Sequence, residues 1–205
     1  NGAGKSTTMK VMTGYTPPTS GNVNIGGYDI IKNSIDARKL IGYLPESVPL
    51  YTDMTVKEYL SYMGSLRGMG KNILNRVDEV IDLTSLNQYK NVLISKLSKG
   101  YRQRTGIAQA ILHKPKILIL DEPTIGIDPV QVVETRKLIQ NLGEEHTLIL
   151  SSHILPEVTS LCNRVLVIHE GKIVADDTPE NLSNRLRTSN LCEIKVKNGK
   201  SNGII

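Results

Sequence analysis

The chain has 205 residues, 39% hydrophobic and 22% charged, which suits one globular domain with a sizeable core and excludes a disordered chain. Its net charge of +5 comes from scattered Lys and Arg. That pattern reads as a solvated surface, with weak attraction to anionic headgroups as the alternative, and no nucleic-acid partner is expected. No stretch approaches the roughly 18 apolar residues of a membrane span, and Cys162 and Cys192, far apart and without metal-ligand spacing, read as free thiols.

The chain opens on Asn1-Gly2-Ala3-Gly4-Lys5-Ser6-Thr7. This is the end of a G-x-x-x-x-G-K-[ST] phosphate loop without its first glycine and the strand before it, so further chain is expected upstream. Glycines let successive backbone N–H groups converge on phosphate oxygens without Cβ clashes. Lys5 is positioned to reach β- and γ-phosphates, and Ser6 to join a Mg²⁺ shell. Residues 8–13 predict a helix closed by Gly14, its N-terminal dipole facing the anion.

Residues 22–25 and 41–44 read as short strands. Val56, Tyr59, Leu60 and Met63, then Ile73, Val77, Val80 and Ile81, follow helical spacing. Helical pattern dominates from about Thr55 to Leu112, which predicts a mostly helical lobe inserted between the first and last strands. Within it stands Leu97-Ser98-Lys99-Gly100-Tyr101-Arg102-Gln103-Arg104, opening a helix.

Ile117-Leu118-Ile119-Leu120 is a continuous apolar run, as expected of a parallel strand buried on both faces. It ends in Asp121-Glu122-Pro123. Ligands sit beyond the carboxyl ends of strands in open α/β sheets, so these acids are placed for chemistry. Asp121 is expected to hold Mg²⁺ directly or through water, and Glu122 to polarise the water that attacks a γ-phosphate. Gly126-Ile127-Asp128-Pro129 follows, then Ser151-Ser152-His153 after a strand at 147–150. A strand at 165–168 turns through Glu170-Gly171 into another at 172–175. Thr178-Pro179 reads as the N-cap and first residue of a closing helix. Residues 193–197 alternate like a half-exposed strand, and two readings stay open for 190–205: the start of an appended module, or a tail.

The Leu-Ser-Lys-Gly-Tyr run resembles the Leu-Ser-Gly-Gly-Gln signature of ATP-binding cassette (ABC) proteins. The order phosphate loop, signature, acid strand, Asp128 loop and His153 resembles the ABC domain over essentially the whole chain. The resemblance implies a P-loop NTPase fold of the α/β class, with a mainly parallel sheet and an inserted helical subdomain. The domain would run over 1–189, its core at about 1–46 and 114–189 and its helical subdomain at about 47–113. It also implies an ATP- and Mg²⁺-dependent ATPase whose active site is split between two protomers arranged head to tail. Asn1, Gly2, Ala3, Gly4, Lys5, Ser6 and Thr7 of one protomer would bind the nucleotide together with Ser98, Lys99 and Gly100 of the other. Asp128 would communicate between sites, and His153 would contact the γ-phosphate and position the water.

Three departures stand out. Glu46 occupies the place of a Gln that touches Mg²⁺ and leads to the helical lobe, where a carboxylate adds negative charge and cannot donate an N–H. Lys99 and Tyr101 replace the first Gly and the Gln of the usual signature. With Ile41-Gly42-Tyr43-Leu44-Pro45-Glu46, these residues resemble the ATP-binding subunits of type 2 ABC exporters of gliding-motility and multidrug type. The implied partners are a transmembrane permease docked near residues 46–55 and a second ATP-binding subunit, in a homo- or heterodimer. The implied place is the cytoplasmic side of the plasma (inner) membrane. The alternative is a soluble ABC ATPase acting on ribosomes or DNA, against which stands the lack of sustained heptads between Lys5 and Ser98.

Overall fold

A computed structural model describes residues 2–189. Asn1 and residues 190–205, with Cys192 and the alternating 193–197 segment, lie outside the described residues. The first helix, α1 (Lys5–Met12), begins at the lysine of the glycine-rich run rather than at residue 8. Gly4, at φ 103 and ψ 2, turns the chain straight into the helix, a backbone shape that only glycine adopts cheaply. Gly14, at φ 69, closes it as expected, with the Tyr15 amide bonded to the Lys10 carbonyl at 2.9 Å.

A small hairpin follows, β1 (Asn24–Ile25) with β2 (Tyr28–Asp29). The strand expected at 22–25 is thus shorter, because Gly26 and Gly27, both at positive φ, reverse the chain at once. Helix α2 (Ser34–Lys39) leads into β3 (Ile41–Leu44).

The helical stretch contains α3 (Val56–Leu66), α4 (Ile73–Leu83), 3₁₀ turns at Asn87–Tyr89 and Ile94–Lys96, and α5 (Lys99–Ile111). Thr55 starts α3 with a capping box: its hydroxyl accepts from the Glu58 amide at 3.3 Å, and Glu58 Oε2 accepts from the Thr55 amide at 2.8 Å. Val56, Tyr59 and Leu60 on α3 and Val77, Val80 and Ile81 on α4 are buried, as their 3.6-residue spacing requires. Helix α5 is the joint: it packs on β3, and its Gln109 accepts a hydrogen bond from the Tyr59 hydroxyl of α3 at 3.2 Å.

The remainder alternates as β4 (Ile117–Asp121), α6 (Pro129–Glu145), β5 (Thr147–Ser151), α7 (Leu155–Leu161), β6 (Val165–His169), β7 (Lys172–Asp177) and α8 (Pro179–Ser189). Strands β3, β4 and β5 form a parallel sheet in that order, with Leu44 opposite Leu120 and Asp121 opposite Ser151. Strand β4 lies in the middle, and Leu118, Ile119 and Leu120 are completely buried, each burial stabilising by about 1.5–3 kcal/mol.

The two-residue period of β4 divides the interior. Leu118 and Leu120 join Leu44, Ile107, Ile111, Ile139 and the helical-lobe residues in one cluster. Ile119 faces the other way, onto Met9 of α1, Ala37 of α2 and Ile41. With the sheet sandwiched between helices, the carboxyl ends of β4 and β5 emerge together beside the start of α1. Among the described residues β6 and β7 pair only with each other, through Glu170 (φ 47) and Gly171 (φ 74). The Gly171 amide of that turn donates to the Ala3 carbonyl at 2.9 Å.

Candidate nucleotide site

The acids stand where β4 runs out. Asp121 is its last residue, and Glu122 follows in a left-handed conformation, φ 48, costly for a non-glycine residue and characteristic of constrained functional turns. Ser151, the last residue of β5, ties the pair together. Its hydroxyl donates to Asp121 Oδ1 at 2.6 Å and accepts from the Glu122 amide at 3.0 Å. Ser6, on the first turn of α1, donates to the same Asp121 Oδ1 at 3.4 Å. His153, two residues past β5, brings Nδ1 to 2.8 Å from Glu122 Oε2. A neutral ring makes that bond with its proton on Nδ1, leaving Nε2 without a partner among the described residues. Glu122 is nearly buried, whereas the His153 side chain is half exposed.

Five side chains from three distant segments thus converge: Ser6, Asp121, Glu122, Ser151 and His153. Gly2 and Gly4 supply the loop, both at positive φ. Thr7 is exposed on α1, and Lys5 has no hydrogen bond or ion pair among the described residues. Lys5 stands at the first position of α1, where a helix N-terminus and an unpaired ammonium both favour an anion. One hydroxyl and one carboxylate suit Mg²⁺, which keeps waters and takes phosphate oxygens for its other positions. Among the described residues no three His, Cys, Asp or Glu gather as an all-protein metal cage.

The signature residues stand apart. Ser98 caps α5, accepting from the Tyr101 amide at 3.4 Å. Among the described residues no hydrogen bond or ion pair joins Ser98, Lys99 or Gly100 to the phosphate loop. Gly100 is buried under Gln131 and Ile127, leaving no room for a Cβ. Gln131 Nε2 lies 3.5 Å from Ser98 Oγ, so the start of α6 packs on the start of α5. Arg104 of α5 pairs with Glu134 of α6 at the same seam.

Both signature departures have local causes. The Tyr101 ring stacks on Tyr89 with centroids 4.0 Å apart and lies 5.6 Å from the Arg104 guanidinium, so it packs into the helical stretch. The Lys99 side chain lies over the Gly126 turn. Asp128 caps α6, accepting from the Gln131 amide at 3.0 Å, and is exposed.

Among the described residues no hydrogen bond or ion pair joins Glu46 to Ser6 or Asp121. Glu46 is exposed, and lines a cleft of about 330 Å³ with Val48, Leu50, Lys99, Arg102 and Gln103. Sequence reasoning missed Ser151, Thr124 and Glu157 as site-forming residues. Ser151 carried the one available signal, as a hydroxyl at the end of a strand adjoining the acid strand.

The ABC transporter family model matches residues 1–125. The chain is 40% identical over 189 residues to the bacitracin transport ATP-binding protein BcrA of Bacillus licheniformis, a match covering 91% of this chain and 61% of that protein. It is 36% identical over 200 residues to the linearmycin resistance ATP-binding protein LnrL of Bacillus subtilis, covering 96% and 64%. The chain therefore spans under two thirds of the length of these relatives. Among solved structures it resembles cbiO1 from Clostridium perfringens, part of the ABC transporter complex cbiONQ, with TM-score 0.80, 30% identity, and coverage of 92% of this chain and 78% of that one. With the family model, the curated relatives and the fold in agreement, the chain belongs to the ABC transporter family.

Proposed function

We propose that the protein binds ATP with Mg²⁺ and hydrolyses it as the ATP-binding subunit of an exporter. It would pair with a second ATP-binding subunit and drive a separate transmembrane permease from the cytoplasmic side of the plasma membrane. No helix of the described residues is long and apolar enough to cross a membrane. The observation that carries the reading is the 2.8 Å contact of His153 with Glu122 beside the Ser6–Asp121 pair. The names of the relatives, bacitracin transport and linearmycin resistance, support export. A core of about 1–46 and 114–189 with a helical lobe of about 47–113 belongs to the same reading, supported by the packing of α3 on α4.

In this reading Glu122 Oε accepts a proton from water as the water oxygen bonds to the γ-phosphorus. The bond to the β–γ bridging oxygen breaks, and ADP and inorganic phosphate leave. Lys5 and the amides after Gly4 bind the β- and γ-phosphates. His153, held by Glu122, stands beside the attacking water, and Ser98 of the second subunit closes on the γ-phosphate from the far side. When bound, Mg²⁺ neutralises charge on the phosphate oxygens, with Ser6 and Asp121 as the groups to hold it.

The test is Glu122→Gln in the full-length protein. Hydrolysis is expected to slow by roughly 10²–10⁴-fold, the usual worth of a positioned base, with nucleotide affinity retained. Wild-type turnover in that variant would remove Glu122 from the role.

A further inference from the structure

Three carboxylates are buried among the described residues: Asp121, Glu122 and Glu157. The proposed reaction uses the first two. Glu157, in α7, is 1% exposed, and burying a charge costs several kcal/mol unless it is paired and hydrogen-bonded. The carboxylate is fully engaged. Oε1 accepts from Thr124 Oγ1 at 2.7 Å and from Arg136 Nη2 at 2.9 Å, and Oε2 accepts from Ser152 Oγ at 2.9 Å. Burial alone would raise its pKa, but the bonds from Thr124, Arg136 and Ser152 outweigh it and leave the carboxyl below its ordinary range. It is held as an anion.

The three donors come from three segments that carry the site. Thr124 lies two residues after Glu122. Arg136 lies on α6, the helix that Asp128 caps. Ser152 precedes His153, and its oxygen also accepts from the Ile154 amide at 3.0 Å, so the residues on both sides of His153 are pinned. One carboxylate thus anchors, within two residues each, both partners of the Glu122–His153 contact. An apolar side chain would fill the volume of Glu157 at lower cost. It would leave Ser152 free to rotate and let the segment bearing His153 drift from Glu122.

We infer that Glu157 is a positioning residue for catalysis: it clamps the His153 segment to the loop after the acids and to α6, fixing the distance between His153 and Glu122. The inference rests on the ATPase reading above. Ångström-scale misplacement of a reacting group can cost about a hundredfold in rate, and a clamp that loosens rather than releases the contact is expected to cost about tenfold.

In the full-length protein, Glu157→Gln and Ser152→Ala should each lower kcat by about tenfold with KM for ATP within about twofold. Introduced into a His153→Ala background, Ser152→Ala should change the residual rate by no more than about twofold, since its effect runs through His153. Hydrogen exchange at the Ile154 amide should be about tenfold faster in Glu157→Gln than in wild type, whether or not ATP is turned over. A lower melting temperature with unchanged kcat per folded molecule would overturn the inference, as would an undiminished Ser152→Ala loss without His153, or unchanged exchange at Ile154. If Glu157→Gln does not fold, the Ser152→Ala cycle decides. If the wild-type protein hydrolyses no ATP, the ATPase reading falls, and the exchange measurement still decides the clamp.

Discussion

His113, in the turn between α5 and β4, holds Nε2 3.0 Å from the Ile41 carbonyl oxygen, while its Nδ1 is buried without a partner. Burial, then the nearby charge of Arg67, pushes its pKa down from 6.5 to about 4, against the opposing pull of the Ile41 carbonyl. The folded chain therefore keeps this imidazole neutral where the unfolded chain protonates it. Between pH 6.5 and about 4 the unfolded state binds more protons, so stability falls as pH is lowered through that window. Glu157 acts in a lower one: its depressed pKa gives stability that is lost only as pH falls through and below the ordinary carboxylate range. Urea unfolding midpoints at pH 7 and pH 4.5 should drop clearly in the wild type and less in His113→Gln. An equal drop in both proteins would remove His113 as the cause. Residues differ in how far sequence betrays them. Asp121 and Glu122 were legible because two acids end a run of four aliphatics. Glu157 was not, because its partners at 124, 136 and 152 share no spacing with it, and only the meeting of α6, α7 and the two strand ends makes them neighbours.

At the scale of elements, the periods of two and 3.6 carried the reading, and glycines mark where packing rather than period decides. Gly42 in β3 lies against α5: a Cβ there would overlap the Ala110 carbonyl oxygen and stand 2.9 Å from Pro115 Cγ. Because the obstacle is backbone, α5 would have to move off the sheet. Gly42→Ala is expected to cost about 3 kcal/mol, the upper end of overpacking penalties. A Cβ on Gly64, buried in α3, would meet side-chain atoms instead, Ile73 Cδ1 at 2.6 Å and Cγ1 at 2.9 Å with Leu112 Cδ2 at 3.4 Å, and side chains can shift where backbone cannot. There the gain in helix propensity of about 1 kcal/mol offsets the repacking, and Gly64→Ala should fall within about 1 kcal/mol of wild type. Denaturant unfolding of both variants checks the contrast, and similar losses would mean that α5 has more freedom on the sheet than its seat suggests. Such contacts explain what the elements alone hid. The pairing of α5 with β3, the latch of Arg104 to Glu134 and the seat of Gln131 over Gly100 are tertiary, so residues 97–104 were readable as a helix start and not as one wall of a seam with α6. The early start of α1 was likewise hidden, since Gly4 signals a phosphate turn as readily as a helix cap.

At the scale of the whole molecule, the candidate residues fall into two groups that no hydrogen bond or ion pair joins among the described residues. Lys5, Ser6, Asp121, Glu122 and His153 gather at the carboxyl edge of the sheet. Ser98 is exposed at the start of α5, its hydroxyl bonded to the Tyr101 amide and Gln131. Under the proposed ATPase function, Ser98 at this helix N-terminus would serve a phosphate bound by a second chain arranged head to tail. Two variants separate this arrangement from a site built within one chain. Ser98→Arg keeps a sound phosphate loop and spoils the signature, whereas Lys5→Ala does the reverse, and each full-length variant alone should be nearly inactive. Mixed at equal concentration, half of the dimers are expected to be heterodimers. Each of these joins the Lys5 of one chain to the Ser98 of the other and so holds one intact composite site. With independent sites, ATPase activity should recover to about a quarter of wild type. A site completed within its own chain predicts no recovery, because each chain then carries a defect in its only site. Heterodimers confirmed by differently tagged chains, yet without ATPase activity, would sink the independent split site.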